Sequence, residues 1–586
     1  MTDPAPHPQI AILDTGGQYC HLIARKVRDL GVYSEVLPSE TPAARLRGFK
    51  GLIISGGPAS VYEQGSPWVD PAIFHLGSAV LGICYGQQLM AHVLGGTVTK
   101  GEKGEYGLAT LEGPAGRLFR GAADSQQIWM SHQDSVSGLP VGFSVVGQTD
   151  SCAMAAIEDP ARRLYGVQFH PEVVHTHQGR TILSNFLFDI AGCTPDWHPK
   201  DRVPLIEERI REVAQDRSIF FFVSGGVDST VAYTLCLRAL GKHRVSGFYV
   251  DTGLMREGET RFVRELFHTL GSDAFMVEEA EDQFLGALAG VRDPEKKRHI
   301  IGEQFVQVQE RILQTGHFLD GNWILGQGTI YPDTIESGGS AKAAVIKTHH
   351  NRVAGIQRLI EQNRIIEPLN SFYKDEVREI GREIGLPAPF LDRHPFPGPG
   401  LAIRCLCAER SEPLVPTEDG YIIPVHSVGV QGDFRSYRPI LSISGSDLHR
   451  RATSLTNRLS TVNRVVAEIA TRVPLPQMAV QPSELTAVRL DRLRQADAIV
   501  RRLSEESGFE QKIWQFPVVL IPVGTESHPD SVVLRPVDSM DGMTAESVLM
   551  DDALLQQMTR ELLDVPGVCG VFYDLTHKPP GTIEWE

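Results

Sequence analysis

The sequence lacks a long apolar run. Its 586 residues contain no stretch of about 18 consecutive apolar residues, which a membrane-spanning helix would need. The opening letters, MTDPAPHPQIAILD, also lack the basic and apolar regions of a secretory signal peptide. We therefore expect a cytoplasmic protein that makes no membrane contact.

Paired cysteines are missing as well. The chain has 8 cysteines, and none stands in a CxxC pair. Cysteines scattered along a long chain are typical of a reducing compartment with free thiols. Cys405 and Cys407 give a weak indication of a metal site, but two buried small residues are the favoured interpretation.

Positive charge is in the minority. The chain has 56 Lys and Arg against 72 Asp and Glu, which gives a formal net charge of −16. An acidic chain is poorly suited to a polyphosphate backbone, so we expect no nucleic-acid partner. Small anionic substrates stay open, because a local basic pocket can oppose the global charge.

The chain reads as several α/β blocks. At roughly 100–200 residues per domain its length predicts about three to five domains or subdomains. Short apolar runs alternate with helix-like stretches up to about residue 192 and again from 219 to about 400. Proline-rich segments at 194–204 and 393–404 mark the boundaries. We predict domains at 1–195, 205–404 and 405–586.

The third segment has a mixed pattern. Runs at 517–521, 531–534 and 570–573 are typical of strands, and 458–471 and 548–563 are typical of helices. This combination predicts an α+β domain.

A cysteine stands on a glycine-flanked turn. Residues 82–88 (GICYGQQ) follow a strand and open a helix, so Cys84 is expected at the apex of a strained turn, where the helix N-terminus favours a thiolate. In 168–172 (QFHPE), His170 and Glu172 face the same side of an extended segment and can both point at the sulfur. A cysteine alone is more often a small buried hydrophobic residue. The glycine-flanked turn together with His170 and Glu172 favours a nucleophile instead.

A second glycine turn is suited to phosphate. Residues 222–230 (FVSGGVDST) follow a strand and open a helix, so successive backbone N–H groups can converge on an anion. Ser224, Ser229 and Thr230 offer hydroxyl donors. Asp228 would repel phosphate, so we expect it to hold Mg²⁺ or to order the loop. The lysine of a Walker loop is absent, and a bare pair of glycines would favour an ordinary turn.

The first motif resembles the class I glutamine amidotransferases. GICYGQQ together with GVQFHPE carries the resemblance. It implies that Cys84 attacks the glutamine amide, that His170 is the general base and that Glu172 orients it. It also implies that the backbone N–H groups of Gly57 and Tyr85 face the oxyanion.

Two positions depart from the amidotransferase pattern. Gln87 stands where that family more often has Met, and Gln133 stands where it usually has Gly. Both lie near the expected glutamine pocket, so we expect them to bear on glutamine affinity rather than on the chemistry.

The second motif, SGGVDST, resembles the loop of the ATP pyrophosphatases. The resemblance implies that substrate oxygen attacks the α-phosphorus, that the loop holds the departing pyrophosphate and that ammonia then displaces AMP. It implies Mg²⁺ with ATP at Asp228 and no organic cofactor. The implied ATP-binding residues are Ser224, Gly225, Gly226, Val227, Asp228, Ser229 and Thr230.

Further motifs resemble the GMP synthetases and extend the resemblance over essentially the whole chain. They are GQGTIYPD at 326–333, KTHHN at 347–351, RHPFPGPGLAIR at 393–404, GVQGD at 429–433 and KPPGTIEWE at 578–586. The implied architecture is an amidotransferase domain, an adenine-nucleotide α-hydrolase-like pyrophosphatase domain and an α+β C-terminal domain. The implied substrates are xanthosine monophosphate (XMP), ATP and L-glutamine.

The resemblance also implies an XMP site at Arg298, Asp433, Gln515, Lys578 and Glu584. A lysine such as Lys578 suits the 5′-phosphate. The carboxylates of Asp433 and Glu584 suit base N–H groups or ribose hydroxyls.

A lid is implied at Lys347, His349 and His350, which would close over the nucleotide. The two histidines could instead form a metal pair, but neighbours on a strand point to opposite faces, which disfavours it.

Alternatives stay open at this stage. The third segment is longer than in the compact bacterial enzymes of the family, which leaves both a homodimer and a monomer open. The rival functions are another glutamine-dependent adenylating enzyme, acting on tRNA or forming NAD, and a non-enzymatic scaffold. The acidic charge argues against tRNA, and the terminal KPPGTIEWE argues against NAD formation. The intact Cys84, His170 and Glu172 argue against a scaffold.

Overall fold

The computed structural model describes residues 7–272, 274–338, 353–431, 434–459, 461–539, 545–578 and 580–586. The chain forms two compact units. The first contains Met1–Arg209, Ile330–Ile346 and Leu369–Glu383; the second contains Ile210–Thr329, Lys347–Pro368 and Ile384–Glu586. The domain boundaries at 195, 205 and 404 remain predictions. No helix in the described ranges combines the length and apolar character needed to cross a membrane.

The first unit is built on a seven-stranded sheet. In spatial order its strands are Ser34–Pro38, Ile10–Asp14, Gly51–Ile54, Ala79–Ile83, Leu164–Val167, Ala156–Asp159 and Ser144–Gly147. The first five run parallel, and the last two are antiparallel additions. The central strands are apolar and buried throughout, as expected for a parallel sheet covered on both faces.

Helices and a hairpin complete the first unit. Its longer helices are Cys20–Asp29, Tyr85–Val93, Gly179–Ser184, Tyr331–Gly338 and Lys374–Glu383, with short turns at Ala43–Leu46, Pro71–His75, Asn185–Ile190 and Pro199–Arg202. The strands Thr97–Glu112 and Ser125–Gly138 form a separate antiparallel hairpin. The helix Val203–Ala214 runs from the first unit into the second.

The second unit begins with a five-stranded parallel sheet. In spatial order the strands are Phe275–Glu279, Val245–Asp251, Ser218–Phe222, Trp323–Gly326 and Ile365–Ile366. The helices that belong with them are Val227–Leu240, Glu259–Thr269, Glu281–Leu288, Pro294–Thr315, Ala354–Glu361, Ala388–Leu391 and the short turn Gly400–Ile403. The α/β prediction is therefore confirmed for both blocks.

A mixed sheet follows in the second unit. Its strands, in spatial order, are Val415–Pro416, Tyr421–Gln431, Phe434–Ile443, Arg464–Thr471, Val568–Asp574, Asp530–Leu534 and Val518–Ile521. The helices are Leu448–Arg458, Ala487–Glu506 and Asp552–Asp564, with short turns at Leu475–Gln477 and Phe509–Lys512. Small ladders join Glu412–Pro413, Ala479–Val480 and Val523–Gly524, and Val537–Asp538 with Glu546–Ser547. The prediction of an α+β segment is confirmed.

One helix prediction is wrong. Residues 458–471 end the helix Leu448–Arg458 and then form the strand Arg464–Thr471. That strand lies between Phe434–Ile443 and Val568–Asp574, so its Val465 and Val466 are buried in the sheet. The β-branched pair favours a strand that packs on both sides, and this preference outweighs the helical spacing.

A buried charge cluster holds the terminal segment against the mixed sheet. Asp574 Oδ2 accepts hydrogen bonds from Arg464 Nη1 (2.9 Å), Arg535 Nη1 (2.6 Å) and Trp585 Nε1 (3.0 Å). Arg464 Nη2 also donates to the Glu584 carbonyl at 2.8 Å. Burial alone would raise the pKa of Asp574, but the two guanidinium groups lower it below its usual range.

Replacing Asp574 with Asn should destabilise the second unit, because two buried guanidinium groups would lose their counter-charge. We expect a loss of about 3–5 kcal/mol, measured by equilibrium urea denaturation. Asp491→Asn is the matched control: it removes a largely exposed carboxylate that pairs with Arg494. Equal midpoints for the two variants would contradict this role. Since the folded pKa of Asp574 is depressed, its stabilisation should persist at neutral pH and be lost only as pH falls through that lowered value.

Candidate active sites

The cysteine and histidine of the first motif meet at one edge of the sheet. Cys84 directly follows the strand Ala79–Ile83, and the helix Tyr85–Val93 begins at the next residue. The neighbouring strand Leu164–Val167 runs parallel, with Ile83 opposite Val167. His170 lies three residues beyond that strand, so both side chains are delivered to the carboxyl ends of adjacent strands.

The turn at Cys84 is strained. The residue has φ 53° and ψ −108°, a left-handed conformation that residues other than glycine rarely adopt. A Cβ on Gly82 would lie 2.5 Å from the Gly86 carbonyl oxygen, and a Cβ on Gly86 would lie 2.2 Å from the Ile54 carbonyl oxygen. The flanking glycines are therefore required by close backbone approach, as the sequence predicts.

His170 is held by Glu172. The two residues are buried, and His170 Nδ1 lies 2.7 Å from Glu172 Oε1. Burial lowers the pKa of His170, but the Glu172 carboxylate and the Cys84 thiol outweigh it and raise the pKa to about 10. A Cβ on Gly56 would lie 2.9 Å from His170 Cε1 and 3.4 Å from Cys84 Cβ, so the backbone at Gly56 lies against both side chains.

Sequence reasoning missed the other groups around the sulfur. Gln168 Nε2 donates to Cys84 Sγ at 3.6 Å, and the thiol donates to the Ser131 carbonyl at 3.6 Å. Gln88 Nε2 donates to the Asp134 carbonyl at 2.6 Å. Gln168 could have been found, because it precedes His170 by two residues and so shares its side of the segment.

The two predicted oxyanion residues are chain neighbours of the residues at the cysteine turn. Tyr85 follows Cys84 in the chain, and Gly57 follows the Gly56 that contacts Cys84. Thr15 fixes this loop: its hydroxyl donates to the Gly56 carbonyl at 2.8 Å. The oxyanion role of Gly57 and Tyr85 stays a prediction.

The two residues that depart from the amidotransferase pattern, Gln87 and Gln133, lie in different surroundings. Gln87 is fully buried, donates from Nε2 to the Met154 carbonyl at 2.9 Å and packs against Gly166. Gln133 is exposed on the hairpin. Gln87 thus anchors its helix to the neighbouring chain segment.

The second motif lies where the order of strands in the parallel sheet of the second unit reverses. Ser218–Phe222 pairs with Val245–Asp251 on one side and with Trp323–Gly326 on the other. Ligands of open α/β sheets bind at such a switch point, beyond the carboxyl ends of the strands. Residues 223–226 form the loop there, and the helix Val227–Leu240 follows.

The loop has a closed side and an open side. Gly225 has φ +76° and its Cβ position lies 3.3 Å from the Tyr249 ring, whereas a Cβ on Gly226 would meet only Ser224 Oγ, at 3.2 Å. Ser224 Oγ and Ser229 Oγ are 3.0 Å apart, and the Gly226 N–H donates to Ser224 Oγ at 3.2 Å. A nest of this kind accepts an anion on its open side.

Not all of the predicted loop residues share that open side. Val227 and Thr230 are buried in the first helical turn, while Asp228 belongs to the same turn. Gly328, from the GQGTIYPD motif, packs on the loop: its Cβ position lies 2.7 Å from Ser229 Cα. The two motifs are therefore in contact.

Two of the residues predicted for the XMP site lie together in the structure. Gln515 Nε2 lies 3.4 Å from Glu584 Oε1 and donates to the Pro395 carbonyl at 2.9 Å. Arg404, which sequence reasoning missed, donates from Nε and Nη2 to Glu584 Oε2 and Oε1 at 2.8 and 2.6 Å. Arg404 was signalled by its position as the last residue of RHPFPGPGLAIR.

Of the other residues predicted for the XMP site and the lid, two have contacts in the structure and four lie outside the described residues. Arg298 Nη2 donates to the carbonyl of Glu586, two residues after Glu584. Lys578 pairs through its backbone with Ala545. Asp433, Lys347, His349 and His350 lie outside the described residues.

Comparison with known proteins identifies the family. Residues 11–190 match the family model of class-I glutamine amidotransferases, and residues 503–585 match that of the GMP synthase C terminal domain. A probable glutamine-hydrolyzing GMP synthase of Leptospira interrogans is 42% identical over 99% of this chain and 100% of its own length. The GMP synthase of Thermobifida fusca is 40% identical over 98% of each chain, and that of Streptomyces coelicolor is 40% identical over the same shares. The chain therefore belongs to the family of glutamine-hydrolysing GMP synthases.

Proposed function

We propose that the two units divide the reaction of a glutamine-hydrolysing GMP synthase. The first releases ammonia from glutamine; the second uses ATP to activate XMP and joins the ammonia to it. ATP, XMP, L-glutamine and water become AMP, diphosphate, GMP and L-glutamate. The observation that carries the proposal is the match to enzymes of that name over 98–99% of the chain.

In the first unit, Cys84 is the nucleophile. The sulfur attacks the glutamine amide carbon while its proton passes to His170, the general base, and His170 then gives that proton to the departing ammonia. His170 then takes a proton from the water that hydrolyses the thioester and releases glutamate. Glu172 orients the ring, and the Gly57 and Tyr85 N–H groups stabilise the tetrahedral oxyanions.

In the second unit, the loop at 224–230 holds the pyrophosphate. The C2 oxygen of XMP attacks the α-phosphorus, and the backbone N–H groups with Ser224 and Ser229 receive the leaving group. Ammonia then attacks C2, and AMP departs with the oxygen.

The loop offers a hard oxygen ligand for a metal that accompanies ATP. A carboxylate at the first helical turn, Asp228, has the chemistry that Mg²⁺ prefers. When bound, Mg²⁺ would neutralise phosphate charge.

The XMP site is proposed around Glu584. Its carboxylate is oriented by Arg404 and lies next to Gln515, so it suits the N–H groups of the purine. Arg298, Asp433 and Lys578 complete the proposed site, and Lys347, His349 and His350 form the proposed lid. We propose a cytoplasmic location and leave the oligomeric state open.

Replacing Cys84 with Ala should separate the two chemistries. We expect glutamine-driven GMP synthesis to fall by about a thousandfold or more, because no covalent route to the amide remains. Synthesis from ammonium should stay close to the parent's rate. The control is Cys193→Ala, which removes a buried thiol of the same unit. Loss of the ammonium reaction in a folded variant, or retention of the glutamine reaction, would refute the assignment of Cys84.

Replacing Gly226 with Val should fill the open side of the phosphate loop. Gly226 has φ −77°, so valine fits its backbone, and the expected loss comes from the blocked anion nest. XMP-dependent AMP formation should fall at least about a hundredfold, a loss of a few hydrogen bonds to a charged group. Gly302→Val, on an exposed helical site with open space, is the control. Near-normal AMP formation in the Gly226 variant would remove the loop from the mechanism.

Replacing Gln515 with Leu should weaken XMP binding without affecting ATP. Losing a hydrogen bond beside a charged carboxylate is worth about 1.5–3 kcal/mol, or roughly ten- to a hundredfold in XMP affinity. The measurement is the KM for each nucleotide. Gln511→Leu, at an exposed position four residues earlier, should change neither. A parallel loss for ATP and XMP would indicate a folding role for Gln515 instead.

A further inference from the structure

Three potential metal ligands meet in the first unit outside the Cys84–His170–Glu172 triad. Glu105 and His132 lie directly opposite each other on the two strands of the hairpin. Cys152 lies in the loop after the strand Ser144–Gly147. One ligand atom of each residue falls within 4.8 Å of the other two.

The hydrogen bonds of His132 leave a lone pair facing a carboxylate. His132 Nδ1 lies 2.9 Å from the backbone carbonyl of Asp134, which can only accept, so Nδ1 carries a proton. In the neutral ring Nε2 is then an acceptor, and it lies 3.2 Å from Glu105 Oε2, a second acceptor. Two acceptors at this distance require either a proton between them, carried by the ring or by the carboxyl group, or a metal ion.

The position of the thiol decides between these cations. A proton on Nε2 satisfies Glu105 and His132 but gives the sulfur of Cys152 no role. The loop of Cys152 is tied to the same carboxylate, because Thr149 Oγ1 donates to Glu105 Oε1 at 3.2 Å and accepts from the Cys152 N–H at 2.9 Å. His132 and Cys152 are buried, and Glu105 is half-buried, so bulk water competes little for their ligand atoms.

We propose that Glu105, His132 and Cys152 bind one Zn²⁺ ion. A thiolate, an imidazole and a carboxylate are ligands that Zn²⁺ accepts, and three protein ligands leave one tetrahedral position for water. Usual zinc bond lengths put neighbouring ligand atoms about 3.3–3.6 Å apart. The 3.2 Å between His132 Nε2 and Glu105 Oε2 is close to this spacing, and the Cys152 sulfur lies within 4.8 Å of a ligand atom of each. The imidazole bonded to a backbone carbonyl through its other nitrogen is the usual arrangement of a zinc-binding histidine.

The site would fix the strand that lines the glutamine pocket. His132 lies between Ser131, whose carbonyl contacts the Cys84 thiol, and Asp134, whose carbonyl accepts from Gln88. A metal at His132 would tie this strand to the loop at 149–152. It would therefore be a structural ion for the glutaminase pocket, with no step of the amide chemistry passing through it.

Cobalt titration of the full-length chain tests the proposal. The Cys84→Ser protein is used so that the catalytic thiol cannot bind the metal. We expect one equivalent of Co²⁺, displaced by Zn²⁺, with near-ultraviolet absorption from a thiolate ligand. Cys152→Ser in the same background should lose that absorption, and Glu105→Gln should weaken the affinity at least about tenfold. Cys193→Ser, at a buried thiol outside the cluster, should bind as the parent does.

The outcomes are decisive. Absence of bound metal at millimolar Co²⁺ and Zn²⁺ would overturn the proposal. The proposal would also be overturned if the Cys152→Ser and Glu105→Gln proteins bound the metal as tightly as the Cys84→Ser parent. Thermal unfolding of each protein, followed by circular dichroism and compared with the Cys84→Ser parent, reports whether the first unit is folded. If Cys152→Ser fails this check, the half-buried, isosteric Glu105→Gln still decides the question. Since the titration requires no glutamine turnover, its result is independent of the role of Cys84.

Discussion

The left-handed backbone at Cys84 is the constraint on which the glutaminase site depends. A cysteine pays conformational energy at φ 53°, and the turn is possible only because Gly82 and Gly86 let backbone atoms approach within distances that no Cβ allows. The strain projects the sulfur beyond the sheet edge, towards the ring that the neighbouring parallel strand delivers. Gly56 fits beneath both groups for the same reason. One steric requirement, close backbone packing, thus sets the positions of Cys84 and His170.

The glycine loop at residues 223–226 of the second unit has related geometry. Its strained position is Gly225, where glycine adopts a positive φ at little cost, and its neighbour Gly226 keeps an ordinary extended backbone. The loop therefore stores less strain than the turn at Cys84, and its Gly226 N–H donates to Ser224 Oγ within the loop. Gly328 packs against the loop from the adjacent strand, which links a second motif to the same position.

Local patterns predicted much of this, and long-range contacts account for the rest. The turn at Cys84, the pairing of His170 with Glu172 and the strand-loop-helix at 222–230 each lie within a few residues, so spacing alone indicates them. Arg404 meets Glu584 across 180 residues, and no local spacing indicates such a pair. The same holds for Glu105, His132 and Cys152, which are joined by a hairpin register and a loop. The helix predicted at 458–471 failed because sheet pairing, a tertiary effect, determines the state of Val465 and Val466.

The terminal segment shows how buried charges can fix the direction of a carboxylate. Removing Arg404 and Glu584 from water costs more than an isolated ion pair returns, so such pairs add little to stability. What they add is a fixed direction: two parallel hydrogen bonds leave the Glu584 carboxylate one orientation, and Gln515 restricts it further. The Asp574 cluster performs the same task for the backbone, since Arg464 reaches the carbonyl of Glu584 while bonded to Asp574. The desolvation cost is offset within these networks, and the Glu584 carboxylate is held in one orientation.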